Sequence, residues 1–169
     1  MSNRRHPSRI EPGPGQESVW DYPRPPRLES SDRLVVVSLG GRVIARTTGA
    51  YRVLETSHPP TWYLPPSSLT AGSVERARGA GSVCEWKGAA TYWNVLSGDG
   101  SVLRRAGWSY EDPTAPFRAI TGYLSFYPAQ LDCTIDGEHV RPQEGGFYGG
   151  WVTDEVVGPF KGGEGSWGW

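Results

Sequence analysis

Apolar residues in this chain come in short runs cut by glycine and proline, a pattern that predicts strands rather than helices. LVVVSL occupies 34–39, Gly40-Gly41 follows, and RVIARTT covers 42–48. Two β-branched runs around a Gly-Gly pair predict a hairpin with positive φ at the turn. YRVLE (51–55) is a third strand, which TSHPP stops because proline lacks a donor and fixes φ. TWYLP (61–65) reads as a short strand and PPSSLTAG as a loop. TYWNVLS and SVLRRAGWSY flank Gly98-Asp99-Gly100 and predict a second hairpin. LDCTIDGE (131–138) predicts a strand ending in an Asp-Gly turn. Gly88, alone within a strand-like stretch, predicts a bulge or the close approach of another backbone or a ligand.

One stretch departs from this rhythm. EDPTAPFRAITGYLSFYP (111–128) carries Phe117, Ile120, Tyr123 or Leu124 and Tyr127 at helical spacing. Asp112 with Pro113, or Thr114, can begin a helix there and Pro128 ends it. The expectation is a mostly-β domain, a small barrel or paired sheets, with one short α-helix. The spacing of strands and aromatics does not suit an immunoglobulin sandwich.

The ends differ in kind from the body. Residues 1–30 are rich in Pro, Arg, Ser and Glu and favour extended conformation, with Trp20 and Tyr22 able to pin the arm. Residues 1–16 read as a mobile tail. Beyond Pro142 the chain is punctuated by glycine yet full of aromatics, which suits a segment wrapped over a core that buries Trp151, Phe160 and Trp167. The division is therefore an arm at 1–30, a core domain at 31–141 and an extension at 142–169.

Composition narrows the function classes. The 169 residues carry a net charge of -1, which gives no electrostatic reason to expect nucleic acid or an anionic membrane. No apolar window reaches the length of a membrane span, and the basic N-terminus lacks the apolar run of a secretory signal. Two distant cysteines, Cys84 and Cys133, read as free thiols in a reducing cytoplasm. They cannot build a four-cysteine zinc site, and His6, His58 and His139 show no ligand spacing with them, so neither metal nor cofactor is expected.

Several stretches taken in order resemble a known family. RVLETSHPPTWYLP, CEWKGAATYW, AGWSYEDP, AITGYLSFYP and DGE resemble the bacterial and fungal family called domain of unknown function 427, sometimes labelled nucleotidyltransferase-like. The likeness spans roughly 31–140, and GGFYGGWVTDEVVGPFKGG resembles the extension of actinobacterial members. It implies a small β-tent fold, related in shape to zinc-ribbon-like and methionine sulfoxide reductase type domains without their cysteine ligands. The family has no established activity. Positions matching it are Glu55, His58, Tyr63, Cys84, Trp86, Lys87, Gly88, Tyr92, Trp108 and Tyr110. Where relatives often have proline before the Trp-Lys-Gly, this chain has Glu85.

The candidate chemistry centres on Lys87. A bulge at Gly88 can turn it inward beside Trp86, Tyr92 or Trp93, where aromatic faces stabilise an ammonium and burial lowers its pKa. Such a lysine can bind an anion or condense with a carbonyl; otherwise its stem runs along the ring surface with the head in water. Glu55 and His58 lie three apart before Pro59-Pro60. The carboxylate raises the imidazole pKa, and the pair can serve as acid and base. Alternatively Glu55 bridges an arginine and His58 bonds a carbonyl in a plain turn. Cys84 is a nucleophile if His58 or Lys87 lowers its pKa, and otherwise a small hydrophobe, as Cys133 is. Tyr63, Tyr92, Tyr110, Trp93 and Trp108 read as core or pocket wall.

The expectation is a small-molecule site whose polar points are Lys87, Glu55, His58 and Cys84, walled by Tyr63, Trp86, Gly88, Tyr92, Trp108 and Tyr110, with binding alone and catalysis both open. A rival reading is an interaction module or homodimer that uses exposed aromatics and the C-terminal tail. Nucleotidyl transfer finds little support, because Asp99, Asp112, Asp132 and Asp136 sit in separate turns and no phosphate-binding glycine loop occurs.

Overall fold

The computed structural model describes residues 6, 8–79, 81–84, 86–145 and 148–169. Glu85 and the first five residues of the arm lie outside the described residues. Three antiparallel sheets form the body. One runs Leu124–Phe126, Val102–Ser109, Thr91–Leu96 and Val74–Arg76 in spatial order. A second runs Glu138–His139, Asp132–Ile135, Val35–Leu39 and Arg42–Thr47. The third is Arg27–Ser30, Tyr51–Leu54 and Thr61–Tyr63, joined to the first by the bridge between Leu64 and Leu124. The fold is mostly β, as the short runs cut by glycine and proline predicted, but no sheet closes into a barrel among the described residues.

Both predicted hairpins form, the second with Leu96 opposite Val102 across Gly98-Asp99-Gly100. Gly40 and Gly41 take φ of 57° and 76°, the left-handed values a tight hairpin turn requires. Asp136 and Gly137, at 48° and 82°, make the same turn after Asp132–Ile135. A register shift between Val37 and Ser38 leaves Ile44 as the extra residue, so Ile44 and Ala45 both face the core.

The expected α-helix over 111–128 does not form. Ala115–Ile120 is a 3-10 turn, and Leu124–Phe126 is a strand paired with Val102–Ser109. Spacing by three fits a 3-10 turn as well as an α-helix, and Phe117 and Ile120 are both buried one such turn apart. Gly122 then takes φ of 73°, which breaks the turn and lets the chain join the sheet.

The main core gathers Val35, Val37, Ile44, Trp62, Leu64, Phe126, Cys133 and Trp151. A second, ring-rich cluster holds Tyr63, Trp108, Tyr110, Phe117 and Ile120. The two clusters lie on opposite faces of the first sheet. The cross-strand pair Trp93 and Gly107 faces the main core, and the next pair, Tyr92 and Trp108, faces the ring cluster.

The flanking segments join each other as well as the body. Glu17–Ser18 pairs in parallel with Val156–Val157, and Trp20 donates its indole N–H to Pro159 O at 2.9 Å. Val19, Tyr22, Leu54 and Val156 make a small third cluster. Ile10 also donates its amide to Gly158 O, so the arm is engaged well before residue 16. Of the three tail aromatics expected inside, Trp151 is fully buried and Phe160 half-buried, whereas Trp167 is 82% exposed. Trp167 points outward between buried Ser166 and Trp169, whose ring packs on Trp20 at 5.5 Å.

Candidate functional site

A cavity of about 430 Å3 opens on the ring-rich face of the first sheet. Its aromatic wall is set by strand alternation. Trp108 and Tyr110 are two apart on one strand and its extension, and Tyr92 opposes Trp108 across the ladder. Trp108 donates its indole N–H to Tyr63 Oη at 3.1 Å, while Tyr92 Oη bonds Ser82 Oγ at 2.8 Å. Burial drives the Tyr63 and Tyr110 hydroxyls well above the ordinary phenol value, so both are neutral at any physiological pH. Burial and the neighbouring Tyr92 push Tyr127 up to about 12.

The stretch from Val83 to Ala89 supplies one rim. Val83–Cys84 pairs with Gly88–Ala89 in a tight hairpin, with Trp86 and Lys87 in its turn. Gly88 sits where the backbone conformation, rather than a close contact, calls for glycine. It takes φ of 105°, and a side chain there would meet Asp112 O at 3.4 Å. Thr114 donates its amide to Lys87 O and its hydroxyl to Trp86 O, which anchors the hairpin to the 3-10 turn. Lys87 Nζ lies 5.7 Å from the Tyr110 ring centre and 6.0 Å from that of Phe117. These rings, rather than Trp86, Tyr92 or Trp93, face the ammonium. Trp93 is on the other face of the sheet, where its N–H bonds Ser109 Oγ at 2.8 Å. Cys84 is half-buried at the cavity and Cys133 is buried in the main core; neither forms a disulfide.

Glu55 and His58 line the same cavity from the turn ahead of Pro59-Pro60. Both readings of this pair have a counterpart in the geometry. Glu55 lies 3.4 Å from His58 Nδ1, and it also bridges Arg24 at 3.5 Å while Nδ1 contacts Thr56 O at 3.0 Å. If Nδ1 keeps its proton on that carbonyl, the neutral ring holds its lone pair at Nε2, the form of a base. Burial, aided by the charges of Lys161 and Arg24, lowers the His58 pKa below its ordinary value against the upward pull of Glu55 and the Thr56 carbonyl. The carboxylate's influence has the expected sign, but desolvation wins.

A bulge places a second cation beside the wall. The register slips between Trp93 and Val95, and Arg105 takes φ of 51° with its amide held by Asn94 Oδ1 at 2.9 Å. Its guanidinium sits 4.3 Å from the Tyr92 ring centre.

All the residues expected at a site line this cavity except Gly88, which lies just behind the hairpin turn. The sequence reading missed Tyr127, Gln143, Tyr148, Gly149 and Gly150. Tyr127 was masked by its helical spacing. The other four reach the cavity through long-range packing, which leaves no local signature. Among the described residues no three of His, Cys, Asp and Glu converge as a metal site. No helix among the described residues is long and apolar enough to cross a membrane. Strongly exposed large hydrophobics are Ile10, Val43, Val83, Val102 and Trp167, of which one is aromatic.

Fold and cavity together define a small, mostly-β domain with a ring-lined pocket that holds one lysine, one glutamate and one histidine. The chain belongs to the family described as a domain of unknown function, DUF427, whose model matches residues 27–137. No curated protein matches it.

Proposed function

We propose that the domain binds a small anionic or carbonyl-bearing molecule in the ring-lined cavity, with Lys87 as the positive charge and Glu55 and His58 as polar partners. The supporting observation is that these three side chains, two from the Glu55–Pro60 turn and one from the distant hairpin turn at Lys87, line one cavity of about 430 Å3. That volume and an apolar wall with few polar points suit a small ligand. Lys87 over two rings favours an anion that completes the charge pair. A lysine sharing a cavity with an acid–imidazole pair also suits condensation with a carbonyl. In that step the amine adds to the carbonyl carbon, water leaves, and a proton passes through His58.

Glyoxylate, which is both an anion and an aldehyde, is a direct probe. The chain has two lysines, and Lys161 donates its Nζ to Trp169 O at 3.2 Å, so it serves as an internal control. With cyanoborohydride present, hydride reduces the imine and leaves a stable adduct readable by mass. The expected result is an adduct on Lys87 ahead of Lys161, and saturable calorimetric binding that Lys87→Met weakens tenfold or more. Equal labelling of both lysines together with binding indifferent to Lys87→Met overturns the proposal.

A further inference from the structure

The turn Glu55–Pro60 carries the acid and imidazole, yet sequence outside the 27–137 domain holds it from both sides. From the N-terminal side, Thr56 donates its amide to Pro23 O at 3.2 Å and its hydroxyl to Tyr22 O at 2.6 Å. Ser57 donates its amide to Val19 O at 3.0 Å. Arg24 donates to Thr56 O at 3.0 Å and bridges Glu55. From the C-terminal side, Lys161 donates its amide to Ser57 O and Trp151 to Pro60 O, both at 2.8 Å. The Tyr148 ring packs edge-on to His58 at 5.7 Å between centres.

Two further features show how closely these segments are fitted. Ser57 is fully buried with φ of 70°, a conformation that persists in a non-glycine residue only where its surroundings over-determine it. Gly149 and Gly150 run so near the wall that added side chains would come within 2.3 Å of the Trp108 ring and 2.5 Å of Pro59 Cγ. Any larger residue must lift the segment or displace a buried ring.

We infer that Arg24, Tyr148, Gly149 and Gly150 are positioning residues, and that the two segments flanking the family domain clamp the Glu55–Pro60 turn into place. The acid–imidazole end of the cavity therefore exists only while both segments are docked. Calling that end a ligand site rests on the proposed function; the clamp itself does not. A molecule that touches Glu55 or His58 binds the docked form better, so occupancy and docking reinforce each other.

The signs of the influences on His58 give a readout specific to the clamp. Glu55 and the Thr56 carbonyl, both in the turn, raise its pKa. Burial, to which Tyr148 contributes, and the charges of Lys161 and Arg24 lower it. Undocking thus removes lowering influences and moves the midpoint up toward the ordinary value near 6.5.

The experiment follows the imidazole resonances by NMR across pH in the full chain. Two charge-neutral variants away from His58 loosen one segment each: Gly149→Ala and Trp20→Ala. The Ser57 amide, bonded to Val19 O at 3.0 Å, reports undocking of the arm, while exposed His139 is the control. The expected result is an upward shift of the His58 midpoint in both variants with His139 unmoved. Folded variants in which the Ser57 amide reports undocking, or the Trp108 resonance moves, while His58 keeps its wild-type midpoint overturn the clamp. If Gly149→Ala does not fold, Trp20→Ala decides alone. A failed glyoxylate test removes the ligand reading and leaves the His58 result intact.

Discussion

Trp151 lies beyond the family domain, yet it is buried to 0% exposure in the main core. Its ring sits 6.4 Å from that of Trp62, and its indole N–H donates to Phe126 O at 3.0 Å. Trp151→Ala removes the ring, leaves a cavity and orphans a buried carbonyl. A buried Trp→Ala change costs about 3–5 kcal/mol from transfer and cavity terms. Against a typical domain stability of about 5–15 kcal/mol, that is a large share. Trp151→Phe separates the terms: it keeps most of the apolar area but orphans Phe126 O, at a cost of about 1–3 kcal/mol. Urea unfolding followed by far-UV circular dichroism measures both, since removing a tryptophan disturbs fluorescence baselines. The midpoint should fall in the order wild type, Phe, Ala, with an unchanged slope if the unfolding stays two-state. A loss below about 1 kcal/mol for Trp151→Ala, the size of an ordinary substitution, would refute the claim that the extension completes the core.

Thiol chemistry and pH provide two more tests. Burial pushes the Cys133 thiol well above its usual value, with Asp132 adding to the shift, and Cys133 has no exposed surface. One thiol, Cys84, should react with Ellman's reagent in the native chain and the second only on unfolding; equal native rates for both would contradict the assignment. Arg52 joins Glu17 and Glu29 through contacts of 2.5 Å each. Burial draws the Glu17 carboxyl up, but hydrogen bonds from Arg52 and Tyr22 outweigh it and hold the net value below 4.5. A depressed folded value means stability is fully present above the unfolded value and is lost as pH falls through the folded one. Arg52→Met should flatten that acid limb. At neutral pH it should cost about 1–3 kcal/mol, the range for hydrogen bonds to charged groups, since both carboxylates are partly exposed. An acid limb identical to wild type sets Glu17 aside as its source.

Local chemistry made much of the body legible. Gly40-Gly41 announces a hairpin and Asp136-Gly137 a turn because few other residues accept positive φ, and the runs LVVVSL and LDCTIDGE read directly as strands. Residues 111–128 show the limit: Phe117 and Ile120 share a face in a 3-10 turn as they would in an α-helix. What separates the two is the pairing of Leu124–Phe126 with Val102–Ser109, a partner that no local window contains.

From the sequence alone came the strands, the hairpins and the free thiols, since each rests on residue type and short spacing, while the grouping of Lys87, Glu55, His58 and the aromatics as one set came from the likeness to the family. Only the tertiary structure decided which rings face Lys87, that burial rather than Glu55 governs His58, and that Arg24, Tyr148 and Gly149 reach the Glu55–Pro60 turn and cavity wall. Desolvation and long-range packing depend on what surrounds a group in space, and residues 24, 58 and 148 become neighbours only once the chain has closed on itself.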